Sequence, residues 1–216
     1  MDRQYSTAAR ERKHHPLRVG DVRRYRSCLR IDFDFECGYC LAREVELAPA
    51  DPFGGFEIDH LRPSSRFKNF QYAYRNLVWA CRLCNRTKGD TWPSKTDEGS
   101  GIRFLDPLED APGEHVGLRG EKVEIINGSP SGQFFVDALR LNSPAQRERR
   151  KKRAKLSLAL RTAENALKDL AAKHPAAAVA AGELQKNIQE LRLQVCGSRP
   201  WDAPNSCSCS IGISRE

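Results

Sequence analysis

Three short apolar runs and two long amphipathic stripes organise the chain. Phe33 and Phe35 alternate with Asp32, Asp34 and Glu36, a period of two that predicts a short strand. Phe53-Gly54-Gly55 reads as a turn opening a second strand through Phe56, Glu57 and Ile58, which ends on Asp59 and His60. Leu77-Val78-Trp79-Ala80 forms a third, followed by a short helix from about Leu83 to near Gly89. Beyond it, loop signals at Glu98-Gly99-Ser100-Gly101, Asp106-Pro107 and Ala111-Pro112-Gly113 surround two further strands, Val116–Leu118 and Lys122–Ile126, and a short helix over 133–141. After Ser143-Pro144 the period changes. Leu156, Leu160, Ala163, Leu167 and Leu170 recur at helical spacing, as do Ala177, Ala181, Leu184, Ile188, Leu191 and Val195. His174-Pro175 breaks the two stripes, which predicts a helical hairpin.

These patterns divide the 216 residues into a basic N-terminal arm (1–30), a core (31–95), an α+β extension (96–143), a basic helical hairpin (144–195) and a flexible tail (196–216). Charge sharpens the division. The net charge is +8, yet residues 97–124 carry eight acids against three bases, while 1–30 carry nine bases against three acids and 144–173 ten against three. Positive charge gathered at two places suits a polyanionic partner better than a uniform solubility surface, with a solvated basic face as the plainer reading. The N-terminus runs into charged residues with no apolar targeting core, and no window approaches the ~18 apolar residues of a membrane span, so a cytoplasmic protein is expected.

In a reducing compartment eight cysteines, four of them in CxxC pairs, point to metal ligation before disulfides. Cys37-Gly38-Tyr39-Cys40 and Cys81-Arg82-Leu83-Cys84 each present two sulfurs to one side of an ion, and two such turns close a tetrahedral zinc shell. Cys196, Cys207 and Cys209 carry no such reading. Forty residues separate Cys40 from Cys81, so the insert holds structure of its own. On the cysteines alone, a zinc-stapled module without chemistry stands level with a functional one.

The enclosed residues move that balance. Phosphodiester hydrolysis requires an in-line water, a base to deprotonate it and positive charge for the transition state. His60 supplies a neutral imidazole at physiological pH, given an unperturbed pKa of about 6.5. Asp59 leaves the opposite face of the strand and is free to ligate a hard cation, and Asn85 offers a neutral oxygen to the same ion. Lys88, on the helical face of Asn85, reaches toward a phosphate oxygen. His14, His15, His115 and His174 lack such company and read as ordinary histidines. Phe56 and Trp79 read as core, Trp92 as an exposed ring able to stack on a base, and Arg62, Arg66 and Lys68 as backbone contacts beside the cleft.

Asp59-His60-Leu61-Arg62-Pro63-Ser64-Ser65, then Asn76-Leu77-Val78, then Cys81-x-x-Cys84-Asn85-x-x-Lys88, resembles the HNH endonuclease motif in its zinc-knuckle form. The resemblance implies an α+β fold: a ββα-metal, treble-clef-like core with structural zinc, to which this chain adds the C-terminal α-helical hairpin. It implies His60 as general base, Asp59 and Asn85 as ligands of a catalytic Mg2+ or Mn2+, and Asn76 as the residue that braces the loop and orients the histidine. It further implies Cys37, Cys40, Cys81 and Cys84 as structural Zn2+ ligands, with Lys88, Glu57 and Arg62 as weaker carry-overs. Phe104-Leu105-Asp106-Pro107 and Leu139-Arg140-Leu141-Asn142, followed by a basic helix, extend the likeness to small bacterial HNH proteins of anti-phage defence systems, which often act beside a separate ATPase subunit, as in Septu-type systems.

The expected function is therefore metal-dependent hydrolysis of nucleic acid, double-stranded DNA by family analogy, beside an ATPase partner, with the hairpin as a possible homo-oligomer interface. The alternatives are a non-catalytic zinc-dependent nucleic-acid-binding module and a subunit held inactive until a partner releases it.

Overall fold

The computed structural model describes residues 4–47, 55–173 and 182–189. Asp21 caps a short helical turn, Val22–Tyr25, by accepting from the Arg23 amide, and helix α1 (Arg26–Asp32) continues it, burying Cys28 and Leu29. The alternating segment after it is not the expected strand. Asp34 and Phe35 take left-handed φ values of 51° and 59°, and the chain reverses there. Both phenylalanines are buried, so the period of two reflects a tight turn and not an extended ladder. The reversal feeds Cys37 into the first knuckle, where the Gly38 amide donates to the Trp79 carbonyl at 2.9 Å. Gly38 is required at that approach, because a Cβ would lie 2.7 Å from the Phe33 ring and 2.9 Å from Val78.

A single helical turn, α2 (Glu44–Leu47), follows the knuckle. Strands β1 (Phe56–His60) and β2 (Leu77–Cys81) pair antiparallel, with Phe56 opposite Cys81 and His60 opposite Leu77. Every residue of β2 is buried, so the strand is the spine of the core. Trp79 stacks on Phe56 with centroids 5.6 Å apart, and its indole nitrogen donates to Glu44 at 2.7 Å. Glu44 is in turn held by Arg30 at 2.6 Å, which neutralises a carboxylate that burial would otherwise make costly. Helix α3 (Arg82–Lys88) leaves β2 directly and stops at Gly89, whose φ of 47° favours glycine.

Helix α4 (Lys95–Gly99) lies where loop signals predicted none. Ser94 and Asp97 form a reciprocal capping box that starts it. The hairpin β3 (Val116–Arg119) and β4 (Lys122–Ile125) turns at Gly120 with φ 61°. Helix α5 (Pro130–Ala138) begins three residues before the expected 133, because Ser129 caps it and Pro130 fits its first turn. Helix α6 (Pro144–Lys173) runs 30 residues, and 182–189 form a further helix, α7. The break at His174-Pro175 and the tail from 196 lie outside the described residues.

One apolar cluster runs from Tyr5 to Leu141, so the extension shares the core of the ββα segment. The segment 1–30, expected as an arm ahead of a domain starting near Ile31, is instead stitched into that core among its described residues. Buried Tyr5 donates to the Tyr39 carbonyl at 2.9 Å, and the Arg12 guanidinium donates to the carbonyls of Arg75 and Leu77 at 3.0 Å. Aromatic anchors and guanidinium donors override the segment's net charge. Helix α6 buries Gln146 and Arg150 in its first turns and Glu164 further on, while Leu156, Leu158 and Leu170 are exposed. No described helix is long and apolar enough to cross a membrane.

Candidate active site and thiolate centre

Four thiols meet where β2 passes into α3. Cys37, Cys40, Cys81 and Cys84 are all buried, with sulfurs within 4.8 Å of one another and no disulfide. A regular tetrahedron with Zn–S bonds of about 2.3 Å has edges of about 3.8 Å. The Cys40 and Cys81 sulfurs are 3.8 Å apart, so the cluster fits zinc. Without a cation the four cannot all ionise. Burial pushes the Cys37 thiol up, hydrogen bonds from its neighbours raise Cys84, and bonds of the same kind hold Cys81 well below its ordinary range. A divalent ion removes that conflict by taking all four as thiolates. Gln146, 62 residues beyond Cys84 and on α6, donates to the Cys84 sulfur at 3.2 Å and softens its charge.

Strand β1 divides its polar residues by the period of two. Glu57 and Asp59 face α3, and His60 faces the loop between the strands. Facing α3, Asn85 donates its amide to Glu57 at 2.7 Å, and Arg82 donates to the other Glu57 oxygen at 2.9 Å. Asp59 meets Lys88, whose ammonium lies 3.1 Å from Oδ2 and 3.4 Å from Oδ1 and also donates to the His60 carbonyl at 2.6 Å. Lys88 was expected at a phosphate oxygen. Its side chain is 0% exposed, turned inward because a buried carboxylate needs a counter-ion. Burial pushes the Asp59 carboxyl up, and Lys88 and the Tyr39 hydroxyl oppose that shift.

The structure thus brings Asp59 to Lys88 and Glu57 to Asn85, two polar rungs between one strand and one helix. Glu57, a candidate outer ligand, has both oxygens engaged and fixes the Asn85 amide. The Asn85 carbonyl oxygen is the ligand atom this leaves, while both Asp59 oxygens are met by Lys88 and one also by Tyr39.

His60 lies outside those rungs. Its Nε2 is 2.9 Å from the Gln71 carbonyl, which only accepts, so Nε2 is a donor there and Nδ1 is the nitrogen left to meet another partner. Buried Asn76 holds the loop that carries Gln71. It accepts from the Arg62 amide at 2.9 Å and donates to the Arg62 and Phe70 carbonyls at 3.1 and 3.3 Å. Arg62 lies over the Phe70 ring at 4.9 Å and the Trp92 ring at 5.8 Å. A groove of about 470 Å³ borders this loop, lined by His15, Arg62, Phe70, Arg75 and Asn76 and by the acids Asp106 and Glu109.

Trp92 is not the free stacking platform expected. It packs on Phe67 and Phe104, and its nitrogen donates to Glu98 at 2.9 Å. His14 bonds Asp32 and His115 bonds Ser129, each at 2.6 Å, as structural histidines do. Sequence reasoning missed Gln71, which acts through its main chain and leaves no residue-type signal, and Gln146, which is distant in sequence. It also passed over Tyr39, although its place between two ligand cysteines was the available clue.

The ββα geometry and the paired knuckles coincide with a family. The HNH endonuclease family model matches residues 37–91, from the first knuckle cysteine to just past α3, so this segment is similar to that family. Among individual proteins, the Septu protein PtuB of Bacillus thuringiensis is 29% identical over 112 residues, covering 50% of this chain and 37% of that protein. The chain therefore spans little more than a third of the length of the curated relative it matches. No solved structure matches the chain.

Proposed function

We propose that the chain is a metal-dependent HNH endonuclease that hydrolyses phosphodiester bonds of double-stranded DNA. The observation that carries this reading is the His60 ring held through Nε2 by the Gln71 carbonyl, next to Asp59 along β1, inside a segment that matches the HNH endonuclease family. His60 takes a proton from the attacking water at Nδ1, while the Gln71 carbonyl holds the ring through Nε2 and steadies the imidazolium that results. Asn76 keeps that carbonyl in place by tying Arg62 and Phe70 together. Arg62 and Arg75, on the bordering groove, neutralise backbone phosphates. Asp59 and Asn85 would hold one Mg2+ or Mn2+, which supplies positive charge for the pentacovalent phosphorus and the departing oxygen. One such site cuts one strand per event, so nicking is the elementary act.

The setting we propose is bacterial anti-phage defence in the cytoplasm, beside an ATPase subunit. It rests on the likeness to a Septu protein and on the resemblance to Septu-type systems. The exposed leucines of α6 and its basic first half offer a face for that partner or for a second copy of the chain. One observation favours a second reading, a zinc-dependent binding module without catalysis: the Asp59 charge is already met by Lys88. Supercoiled plasmid separates the two. Conversion to open circle that needs Mg2+ or Mn2+ and stops with chelator supports the nuclease, and DNA binding without cleavage in every divalent metal supports the module.

A further inference from the structure

Tyr39 stands between two zinc-ligand cysteines, yet its hydroxyl serves the other centre. It donates to Asp59 Oδ2 at 2.5 Å, a short, charge-assisted bond. The residue is 0% exposed, and its ring is wedged edge-on against Phe104 and Phe135 with centroids 5.9 and 6.1 Å away. Its main chain is fixed as firmly, by the Gly38 amide on Trp79 and by the Tyr5 hydroxyl on its own carbonyl. A buried tyrosine hydroxyl needs some partner, and a structural role would be satisfied by any carbonyl. Here the partner is the carboxylate read above as a catalytic ligand. Tyr39 donates to Oδ2, and the Lys88 ammonium spans both oxygens, 3.1 Å from Oδ2 and hydrogen-bonded to Oδ1 at 3.4 Å, so the carboxylate is held in one orientation.

We propose that Tyr39 is a positioning residue that ties the thiolate centre to the catalytic carboxylate, holding Asp59 in the orientation in which it receives the divalent cation. The zinc staple thereby sets the cation affinity of the active site as well as the stability of the fold. The inference rests on the reading of Asp59 as a metal ligand.

The test uses the zinc-loaded full chain, with Mn2+ as the probe, followed by calorimetry or Mn2+ paramagnetic resonance without DNA. Tyr39→Phe keeps the ring packing and removes only the hydroxyl. It should keep its zinc, bind Mn2+ about 10- to 100-fold more weakly, and raise the Mn2+ needed for half-maximal nicking by the same factor, with the rate restored at saturating Mn2+. Phe135→Leu, which loosens the ring contacts without touching the hydroxyl, should lower the melting temperature and leave the Mn2+ midpoint alone. Asp59→Ala should lose Mn2+ binding. If Asp59→Ala loses it while Tyr39→Phe binds within threefold of the parent, or if Phe135→Leu shifts the midpoint as far as Tyr39→Phe, the positioning role is overturned. If Asp59→Ala binds Mn2+ like the parent, Asp59 is no ligand, and the functional reading beneath the proposal falls with it.

Discussion

Replacing Asn76 with alanine should slow nicking far more than it loosens the rest of the fold. The side chain makes three hydrogen bonds, at 2.9, 3.1 and 3.3 Å, all to backbone groups of the loop that holds His60 through Gln71. A neutral hydrogen bond contributes about 0.5 to 1.5 kcal/mol net. Two of normal length and one long therefore amount to about 2 to 3 kcal/mol of loop order. The neighbouring bond from the Leu61 amide to the Asn76 carbonyl, at 2.8 Å, is main chain to main chain and survives the substitution. If the lost energy appears as a smaller population of correctly held His60, each 1.36 kcal/mol is a factor of ten. The expected loss is then roughly 30- to 150-fold in single-turnover plasmid nicking at saturating Mn2+. Zinc content should be unchanged, and the melting temperature should fall by about 5 to 10 °C. Asn76→Asp should be no better, since it sets a carboxylate oxygen against the Arg62 and Phe70 carbonyls. Nicking by the alanine variant within threefold of the parent would refute the idea that Asn76 acts through the position of His60.

Two further outcomes follow from burial. Lys88→Met strands the Asp59 charge and should destabilise the fold by about 3 to 5 kcal/mol in urea unfolding. The salt dependence of DNA binding should stay the same, because the ammonium is not exposed, whereas Arg62→Ala should reduce that slope by about one. Gln146→Leu removes the donor to the Cys84 sulfur and should speed zinc loss to a chelator about tenfold, read with a colorimetric zinc dye. No change in that rate would mean α6 merely covers the thiolate centre.

The ββα segment was legible in the sequence because its signals are local. A glycine turn opens the strand that ends at Asp59-His60, an apolar run delivers Cys81, and a glycine closes α3, each within a few residues of the element it fixes. The period of two at Phe33 and Phe35 misled because burial there comes from a left-handed reversal, a backbone choice that non-glycine residues rarely advertise. Segment 1–30 looked like an arm by its charge, but a few anchors decided its place: Tyr5, Arg12 and Tyr25 find partners tens of residues away. The same distance hid the finer structure of the site. Residue types at 57, 59, 85 and 88 were readable, but not who would pair with whom. The inward turn of Lys88 follows from the cost of burying Asp59, a fact that exists only once the strand and helix are packed.

The central claim is that His60, held by the Gln71 carbonyl, takes the proton from the attacking water, and His60→Ala tests it most directly. Parent and variant, matched for zinc content, melting temperature and DNA affinity, are compared on supercoiled plasmid with Mg2+ and with Mn2+. The account predicts open-circle product from the parent and a rate at least about 100-fold lower from the variant. Equal cleavage by both, with DNA bound equally, would contradict it.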